Sequence, residues 1–248
     1  MSKKRVRKVI FREQPRKSNH RAPTHDTQSQ KKQNASSALD GSRFRWLNES
    51  LYTESSSKSF ELFQTNPNLF SVYHSGFRSQ TTSWPVNPVD ECLEYIKKTI
   101  AAHSNIGDFG CGDAKLAQLL KDTMTVHSFD LVSVNSLVTA CNIADVPLDS
   151  GSLDFAVFSL SLMGTDWPKF IAEAQRCLRI GGTLYIAEVQ SRVTDFDKFR
   201  DCFKGAFSVV KAENSKDKYF VKLILKKTSD SKLNIDSTLL KPCLYKKR

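Results

Sequence analysis

The stretch Asn105-Ile-Gly-Asp-Phe-Gly-Cys-Gly-Asp113 decides how this sequence folds. Ile106 and Phe109 favour a short buried strand, which runs into the glycines of Gly110-Cys-Gly112 and then into a helical pattern. Glycines lack Cβ atoms and tolerate positive φ, so a strand–glycine–helix sequence is typical of backbones that bind a nucleotide-like ligand. The stretch is not a Gly-x-Gly-x-x-Gly motif, because Lys115 occupies the position of the third glycine. It is not a P-loop either, because a P-loop needs Gly-Lys-Ser/Thr. A plain tight turn between strand and helix would also use this glycine pair.

Strands and helices alternate after this stretch. The predicted strands are 106–109, 124–129, 137–141, 153–159, 182–189, 206–212 and 218–225. The predicted helices are 114–121, 166–179 and 195–204, the second with Asp166 as N-cap and a glycine C-cap at Arg179-Ile-Gly-Gly182. This alternation predicts an α/β fold with a mostly parallel sheet, and the short connection before the last strand predicts a terminal antiparallel hairpin.

The residues before residue 105 divide into two parts. Residues 1–43 hold 12 Lys and Arg against 3 Asp and Glu, which accounts for +9 of the net charge of +11. Residues 1–41 are predicted to be a disordered basic arm, because they carry too few large apolar side chains to offset the entropy of ordering. Such an arm binds polyanions, usually nucleic acid. Residues 42–104 are predicted to form a small helical lid over the domain that follows, residues 105–248.

Four helices are predicted in the lid segment from apolar spacing. The first spans residues 43–52, and the second is expected to be capped by Ser57 or Ser59. The third begins near Pro67 and the fourth at Pro88. The tail, residues 228–248, is expected to be partly ordered and to pair with or pack on an edge of the sheet.

The cysteine pattern and the hydropathy exclude several classes of protein. The six Cys show neither Cys-x-x-Cys nor zinc-ligand spacing, so they are interpreted as reduced thiols of a nuclear or cytosolic protein, and no metal is expected. No apolar run approaches the length of a membrane span, so no membrane partner is expected.

The carboxyl ends of the predicted strands carry the candidate ligand-binding residues, because ligands of open α/β sheets bind there. Asp130 follows Gly110 by 20 residues, the spacing at which a carboxylate accepts hydrogen bonds from both ribose hydroxyls. Asn142 offers an amide to adenine, Ile143 can pack on the base, and Ser159 ends the strand that lines the pocket floor. Ordinary loop roles for Asp130 and Asn142 remain open at this point.

The glycine turn, the carboxylate for the ribose and the amide for adenine together fit an adenosyl ligand. The predicted sheet resembles that of class I, Rossmann-like, S-adenosylmethionine-dependent methyltransferases. A closer resemblance is to the ribosomal RNA-processing protein 8 family (nucleomethylin in animals), from about Ser42 to the C-terminus. The motifs that carry it include Tyr73-His-x-Gly-Phe77, Asp108-Phe-Gly-Cys-Gly-Asp113, Leu160-Ser-Leu-Met-Gly-Thr165 and the closing Leu240-Lys-Pro-Cys-Leu-Tyr-Lys-Lys-Arg248.

This resemblance implies an enzyme that methylates N1 of an adenine in large-subunit ribosomal RNA, in the nucleolus of the cell nucleus, during ribosome biogenesis. It implies cofactor contacts at His74, Gly110, Asp130, Asn142, Ile143 and Ser159, of which His74 rests on the resemblance alone. The family usually has Asp where this chain has Asn142, and commonly Met at 143 and Cys at 159.

The implied chemistry needs positioning rather than acid or base catalysis, because neutral adenine N1 already carries a lone pair. Accordingly, no catalytic residue is assigned; Arg78, Met163 and Arg192 are candidates for the pocket rim. The expected partner is ribosomal RNA or the pre-ribosome, bound through the basic arm. Two alternatives remain open: a non-catalytic S-adenosylmethionine-binding scaffold for chromatin factors (rDNA silencing) or ribosome assembly, and a small-molecule methyltransferase with a basic targeting tail.

Overall fold

A computed structural model describes residues 25–214 and 219–245 of the chain, with side chains from Leu39 onward except that of Asn214. The chain forms two compact units, Met1–Leu39 and Asp40–Arg248, and the sheet lies in the second. None of the helices in the described ranges is long and apolar enough to cross a membrane.

Seven strands form one sheet in the order β3-β2-β1-β4-β5-β7-β6. The strands are β1 Asn105–Phe109, β2 Thr125–Asp130, β3 Val138–Ala140, β4 Leu153–Ser159, β5 Leu178–Val189, β6 Phe207–Asn214 and β7 Phe220–Lys227. Strands β1 to β5 pair in parallel, whereas β7 is antiparallel to both β5 and β6. The predicted class I methyltransferase fold with its terminal hairpin is therefore confirmed.

The described part of the chain contains seven helices. They are α1 His25–Thr53, α2 Ser56–Thr65, α3 Asn68–Thr81, α4 Pro88–Thr99, α5 Lys115–Leu120, α6 Pro168–Cys177 and α7 Phe196–Asp201. Two 3₁₀ turns, Gln190–Arg192 and Ser237–Leu239, complete the secondary structure.

Strand β4 shows why the middle of the sheet is buried on both faces. Phe155 and Val157 pack in the cluster that includes α4 and α5, whereas Ala156 and Phe158 pack in the cluster that includes α6 and α7. Side chains alternate between the two faces of a strand, so a continuous apolar run fills both cores.

Helices α1 to α3 form a third apolar cluster at the carboxyl ends of the strands. Its fully buried members are Phe44, Leu47, Leu51, Phe63, Phe70 and Tyr73. Leu131, which follows β2, and Met163, which follows β4, pack against this cluster. The front helices are therefore placed where the ligand-binding end of such a sheet lies. The proposed division into arm, lid segment and catalytic domain stays a prediction.

Both predicted caps of helix α6 are wrong. The helix ends at Cys177, and the next residue, Leu178, already pairs with Leu153 of β4. Arg179-Ile-Gly-Gly182 therefore belongs to β5. The Asp166 side chain does not cap α6 either: its two oxygens accept hydrogen bonds from the backbone N–H and the hydroxyl of Ser56, at 2.8 and 2.9 Å. Asp166 thus caps helix α2 from across the chain, which sequence spacing does not reveal.

Helices α1 and α2 begin at other residues than predicted, whereas α3 begins beside Pro67 and α4 at Pro88, as predicted. Helix α1 begins at His25, inside the predicted disordered arm, because Gln, Lys and Ala favour helix without an apolar stripe. Residues 1–24 of that arm lie outside the described residues. Helix α2 begins at Ser56, so neither Ser57 nor Ser59 is its N-cap.

The described part of the tail packs on the folded unit, and its bridge is with Val193 rather than with an edge strand of the sheet. Leu239 and Leu240 are buried, and Leu240 forms an isolated antiparallel bridge with Val193. Farther on, the Asn48 amide donates a hydrogen bond to the Cys243 carbonyl at 2.7 Å, and the rings of Tyr245 and Phe44 lie 5.2 Å apart.

Candidate cofactor site

One cavity of about 340 Å³ lies between the carboxyl ends of the strands and helices α2 and α3. All six residues predicted to bind the cofactor line it: His74, Gly110, Asp130, Asn142, Ile143 and Ser159. The structure therefore brings the predicted set together, and the contact that each residue makes with a cofactor stays a prediction.

The glycine turn is held at the end of β2. The N–H groups of Gly110 and Cys111 both donate to the carbonyl of Phe129, at 2.8 and 3.0 Å. Gly110 has φ +81°, and a Cβ on it would lie 2.4 Å from the Cβ of Ser161. A Cβ on Gly112, φ +58°, would lie 3.1 Å from the His74 ring. Protein side chains therefore use the space that the glycines leave, in addition to any ligand.

Asp130 is buried at the end of β2, and each of its carboxylate oxygens already accepts one backbone hydrogen bond. Oδ2 accepts from the Gly112 N–H and Oδ1 from the Leu131 N–H, both at 2.7 Å. Burial raises the pKa of Asp130, whereas His74 and the two N–H donors act in the opposite direction. A carboxylate has about four lone-pair sites, so both oxygens keep capacity for ribose hydroxyls.

Asp108 is a cavity residue that the sequence analysis did not assign. It is 3% exposed and lies inside β1, two residues before Gly110 of the glycine turn. Among the described residues, no hydrogen bond or ion pair involves its carboxylate. Burial, followed by repulsion from Asp130, raises the pKa of Asp108 to about 7. An acid left without a partner in a cavity wall indicates that a ligand donor completes it.

His74 lies on α3 and is packed by aromatic rings. The ring centroids of Phe70 and Phe77 are 4.1 and 6.3 Å from that of His74. Burial lowers the pKa of His74, although the carboxylates of Asp130 and Asp113 act in the opposite direction. The lowered pKa favours the neutral imidazole, which offers one donor and one acceptor to the cavity.

Asn142 is joined to helix α2 through Ser56. The Asn142 amide nitrogen donates to the Ser56 hydroxyl at 3.1 Å, and its Oδ1 accepts from the Ala144 N–H at 3.0 Å. Ile143 is buried and packs in the core beside the sheet, while Ser159 is the last residue of β4 and pairs with Ala187. Asn142, Ile143 and Ser159 therefore line one side of the cavity from the ends of neighbouring strands.

The three rim candidates differ in position. Arg78 and Met163 line the cavity, Arg78 in an exposed ion pair with Asp113 at 2.9 Å. Arg192 is not at the rim, so that prediction is wrong. It is 1% exposed and pairs with Glu188 at 2.7 Å.

The polar groups of the cavity suit an adenosyl amino acid. Asp108, Asp130 and Oδ1 of Asn142 offer hydrogen-bond acceptors of the kind that an ammonium group, ribose hydroxyls and an exocyclic amine require. The aromatic residues of α2 and α3 supply an apolar wall. Within residues 25–214 and 219–245, no three His, Cys, Asp or Glu side chains are grouped to hold a metal ion.

Known proteins similar to this chain identify its family. A family model described as hypothetical methyltransferase matches residues 30–248. The ribosomal RNA-processing protein 8 of Dictyostelium discoideum is 44% identical over 230 residues, which is 86% of this chain and 58% of that protein. The chain belongs to the ribosomal RNA-processing protein 8 family. The resemblance stated from the motifs alone is thereby confirmed.

A second member of the family has a more specific name. The 25S rRNA (adenine(645)-N(1))-methyltransferase of Schizosaccharomyces pombe is 48% identical over 167 residues, which is 63% of this chain and 52% of that protein. The chain thus spans somewhat more than half the length of these two relatives.

Solved structures agree with the fold. One is the Burkholderia thailandensis 1,6-didemethyltoxoflavin-N1-methyltransferase with bound 1,6-didemethyltoxoflavin and S-adenosylhomocysteine. It superposes with a TM-score of 0.51 at 15% identity, covering 67% of this chain and 90% of that chain. At this identity the likeness shows the fold alone. The family description, a methyltransferase, agrees with the predicted S-adenosylmethionine cofactor.

The sequence analysis missed three further residues that shape the site. Asp108 carried a signal, because a charged residue inside an otherwise apolar strand is rarely there for packing. Ser56 and Asp166 carried none, because they are 110 residues apart and meet only in the folded protein.

Proposed function

We propose that this protein transfers a methyl group from S-adenosylmethionine to N1 of an adenine in large-subunit ribosomal RNA, in the nucleolus, during ribosome biogenesis. The observation that carries the proposal is the 48% identity to the Schizosaccharomyces pombe protein, whose name states a 25S rRNA adenine-N1 methylation. Several other relatives bear the name ribosomal RNA-processing protein 8.

The composition of the cavity supports this reaction. Ser159, which ends β4, and residues 160–163, which follow it, hold no titratable side chain. Neutral adenine carries its N1 lone pair ready for attack, so no residue must remove a proton first. S-adenosylmethionine, when bound, supplies a methyl group on a positively charged sulfur. The contribution of the protein is to hold the two reactants in line, which can account for several powers of ten in rate.

Two groups of residues divide this positioning work. Asp130 and Asp108 offer the buried acceptors that fix a ligand at the glycine turn. Phe63, Phe70 and Phe77 form an apolar wall of the cavity on the helical side. N1 lies on the pairing edge of adenine, so the target base must be unpaired and turned out of its helix to enter.

Mapping N1-methyladenosine in ribosomal RNA tests the proposed activity. Cells that lack the protein are compared with the same cells expressing the normal protein or Asp130→Ala. We expect the modification to disappear, to return with the normal protein and to remain absent with Asp130→Ala. An unchanged modification map would overturn the enzymatic reading, and changed ribosome assembly in the same cells would favour the scaffold alternative.

The N-terminal residues are proposed to supply RNA affinity. Residues 1–24 hold nine Lys and Arg against one Glu, and cations that neutralise phosphates release counterions. Replacing those nine residues by Gln, which keeps the chain length, should weaken RNA binding and flatten its dependence on salt while cofactor affinity is unchanged. RNA affinity with an unaltered salt dependence would show that the body binds the RNA.

A further inference from the structure

A continuous chain of hydrogen bonds links helix α2, through Ser56, to Asn142 in the cavity wall. The Ala144 N–H donates to Oδ1 of Asn142, whose amide nitrogen donates to the hydroxyl of Ser56. That hydroxyl donates to Oδ2 of Asp166 at 2.9 Å, and the Ser56 N–H donates to Oδ1 of Asp166 at 2.8 Å. Ser56 and Asn142 both line the cavity, and Ser56 is 6% exposed.

The direction of every bond in this chain follows from chemistry. An ionised carboxylate only accepts hydrogen bonds, so the single hydroxyl proton of Ser56 points to Asp166. The Ser56 oxygen can then only accept, which forces Asn142 to present its NH₂ group. The amide oxygen of Asn142 is therefore on the other side, where the Ala144 N–H uses one of its two lone pairs.

Asp166 holds the charge that this order requires. Burial alone would raise its pKa, but the two hydrogen bonds from Ser56 and the nearby Lys169 outweigh burial and lower it. The carboxylate is therefore ionised at neutral pH, and the side chain is tied to both polar groups of Ser56.

We propose that Ser56 and Asp166 are positioning residues that orient the Asn142 amide, so that its Oδ1 accepts a hydrogen bond from the 6-amino group of the cofactor adenine. This inference rests on the proposed function and on its cofactor, S-adenosylmethionine. The lid thus contributes to recognition of the adenine ring through a residue that need not touch the cofactor. An amide turned the other way would present NH₂ to the base and would favour a 6-oxo purine.

The two purine types give a direct binding test. S-adenosylhomocysteine and S-inosylhomocysteine differ in the 6-amino and 6-oxo groups of the base, and both affinities are measured by calorimetry on the full chain. We expect the normal protein to prefer the adenosyl ligand by about tenfold or more, because a site built to accept a hydrogen bond disfavours an acceptor. Ser56→Ala should reduce this preference about fivefold, because one of two bonds that orient the amide is lost.

Three variants complete the test. Ser56→Thr keeps the hydroxyl and should keep the preference. Ser59→Ala removes an equally buried hydroxyl on the same helix that makes no bond to Asn142, and should also keep it. Asn142→Ala leaves the bonds between Ser56 and Asp166 intact and should bring the preference close to one, so it remains informative should Ser56→Ala fail to fold.

Each outcome has a distinct meaning. A preference in Ser56→Ala within twofold of normal would overturn the role of Ser56, and a normal preference in Asn142→Ala would overturn the assigned acceptor. Failure of the normal protein to bind S-adenosylhomocysteine at all would instead remove the cofactor assignment, and the inference with it.

Discussion

The cavity has two walls of different origin. One wall is built by the carboxyl ends of the strands and carries Gly110, Asp130 and Asn142. The other is built by helices α2 and α3 and carries mainly aromatic rings, with His74 among them. The strand wall is polar and held by backbone hydrogen bonds, whereas the helical wall is apolar and held by side-chain packing.

The two walls should respond differently to substitutions. The strand wall presents polar side chains to the cavity, so the loss of one such side chain, for example that of Asp130, should alter binding more than folding. The helical wall depends on cluster residues that are far apart in sequence, from Phe44 to Tyr245, so changes there should alter folding and binding together. Four substitutions test this contrast, and two of them are paired with a control substitution.

Arg192 lies outside the cavity and joins helix α1 to strand β5, to the segment after β4 and to the tail. Its guanidinium pairs with Glu188, donates to the carbonyls of Leu162 and Lys241 at 2.7 and 3.0 Å, and lies 4.6 Å above the ring of Tyr52. Arg192→Met should lower the free energy of unfolding by about 3–5 kcal/mol, because Glu188 would remain buried without its partner. Chemical denaturation measures this loss.

Arg200→Met is the matched control for that substitution. Arg200 pairs with Asp197 at 2.8 Å, but the side chain of Asp197 is 78% exposed. Its loss should change the free energy of unfolding by less than about 1 kcal/mol. Equal effects of the two substitutions would contradict the central role assigned to Arg192.

Asp130→Ala tests the strand wall by itself. We expect cofactor affinity to fall by about 100-fold or more, because two hydrogen bonds to a charged acceptor are lost. The thermal midpoint should fall much less, since the Gly112 and Leu131 N–H groups lie beside a cavity that admits water. Calorimetric binding that equals normal would show that the ribose is bound elsewhere.

Asp108→Asn tests the same wall through pH. Between about pH 4 and pH 7 the folded protein keeps a proton on Asp108 that the unfolded chain has released, since its pKa is raised from 3.8 to about 7. The free energy of unfolding therefore falls as pH rises through that range, by on the order of 2–4 kcal/mol.

The Asn variant lacks this penalty. In the absence of cofactor it should gain stability relative to the normal protein at pH 8 and show no such gain at pH 4, while binding the cofactor more weakly. Parallel thermal melts of both proteins across this pH range provide the check. A difference in melting temperature that is the same at every pH would refute the raised pKa.

Gly76→Ala tests the helical wall. A Cβ at this position of α3 would lie 2.4 Å from the ring of Phe44 on α1. Such overpacking should cost about 1–3 kcal/mol and weaken cofactor binding as α3 shifts. Gly41→Ala, whose Cβ would meet only the end of Arg45 at 3.4 Å, should be neutral or slightly stabilising. Loss of stability without loss of binding would show that the two walls are independent.

The sheet and most of its ligand-binding end could be predicted from sequence patterns alone. Strand–glycine–helix and strand–acid patterns are local, and the parallel alternation places the carboxyl ends of neighbouring strands together, so Gly110, Asp130 and Asn142 could be grouped before any coordinates. His74 could not be placed by spacing, and only the resemblance of Tyr73-His-x-Gly-Phe77 to a family indicated it.

The side-chain partners around the site depend on tertiary packing and could not be predicted from the sequence. Asp166 looked like a local helix cap but binds Ser56, 110 residues away, and Arg192 looked like a rim residue but is buried against Glu188 and the tail. Side-chain partners of this kind depend on which distant segments pack together, and no short-range pattern encodes that packing. The glycine turn can therefore be predicted from the local sequence, whereas the orientation of the side chains around the cofactor site depends on the tertiary fold.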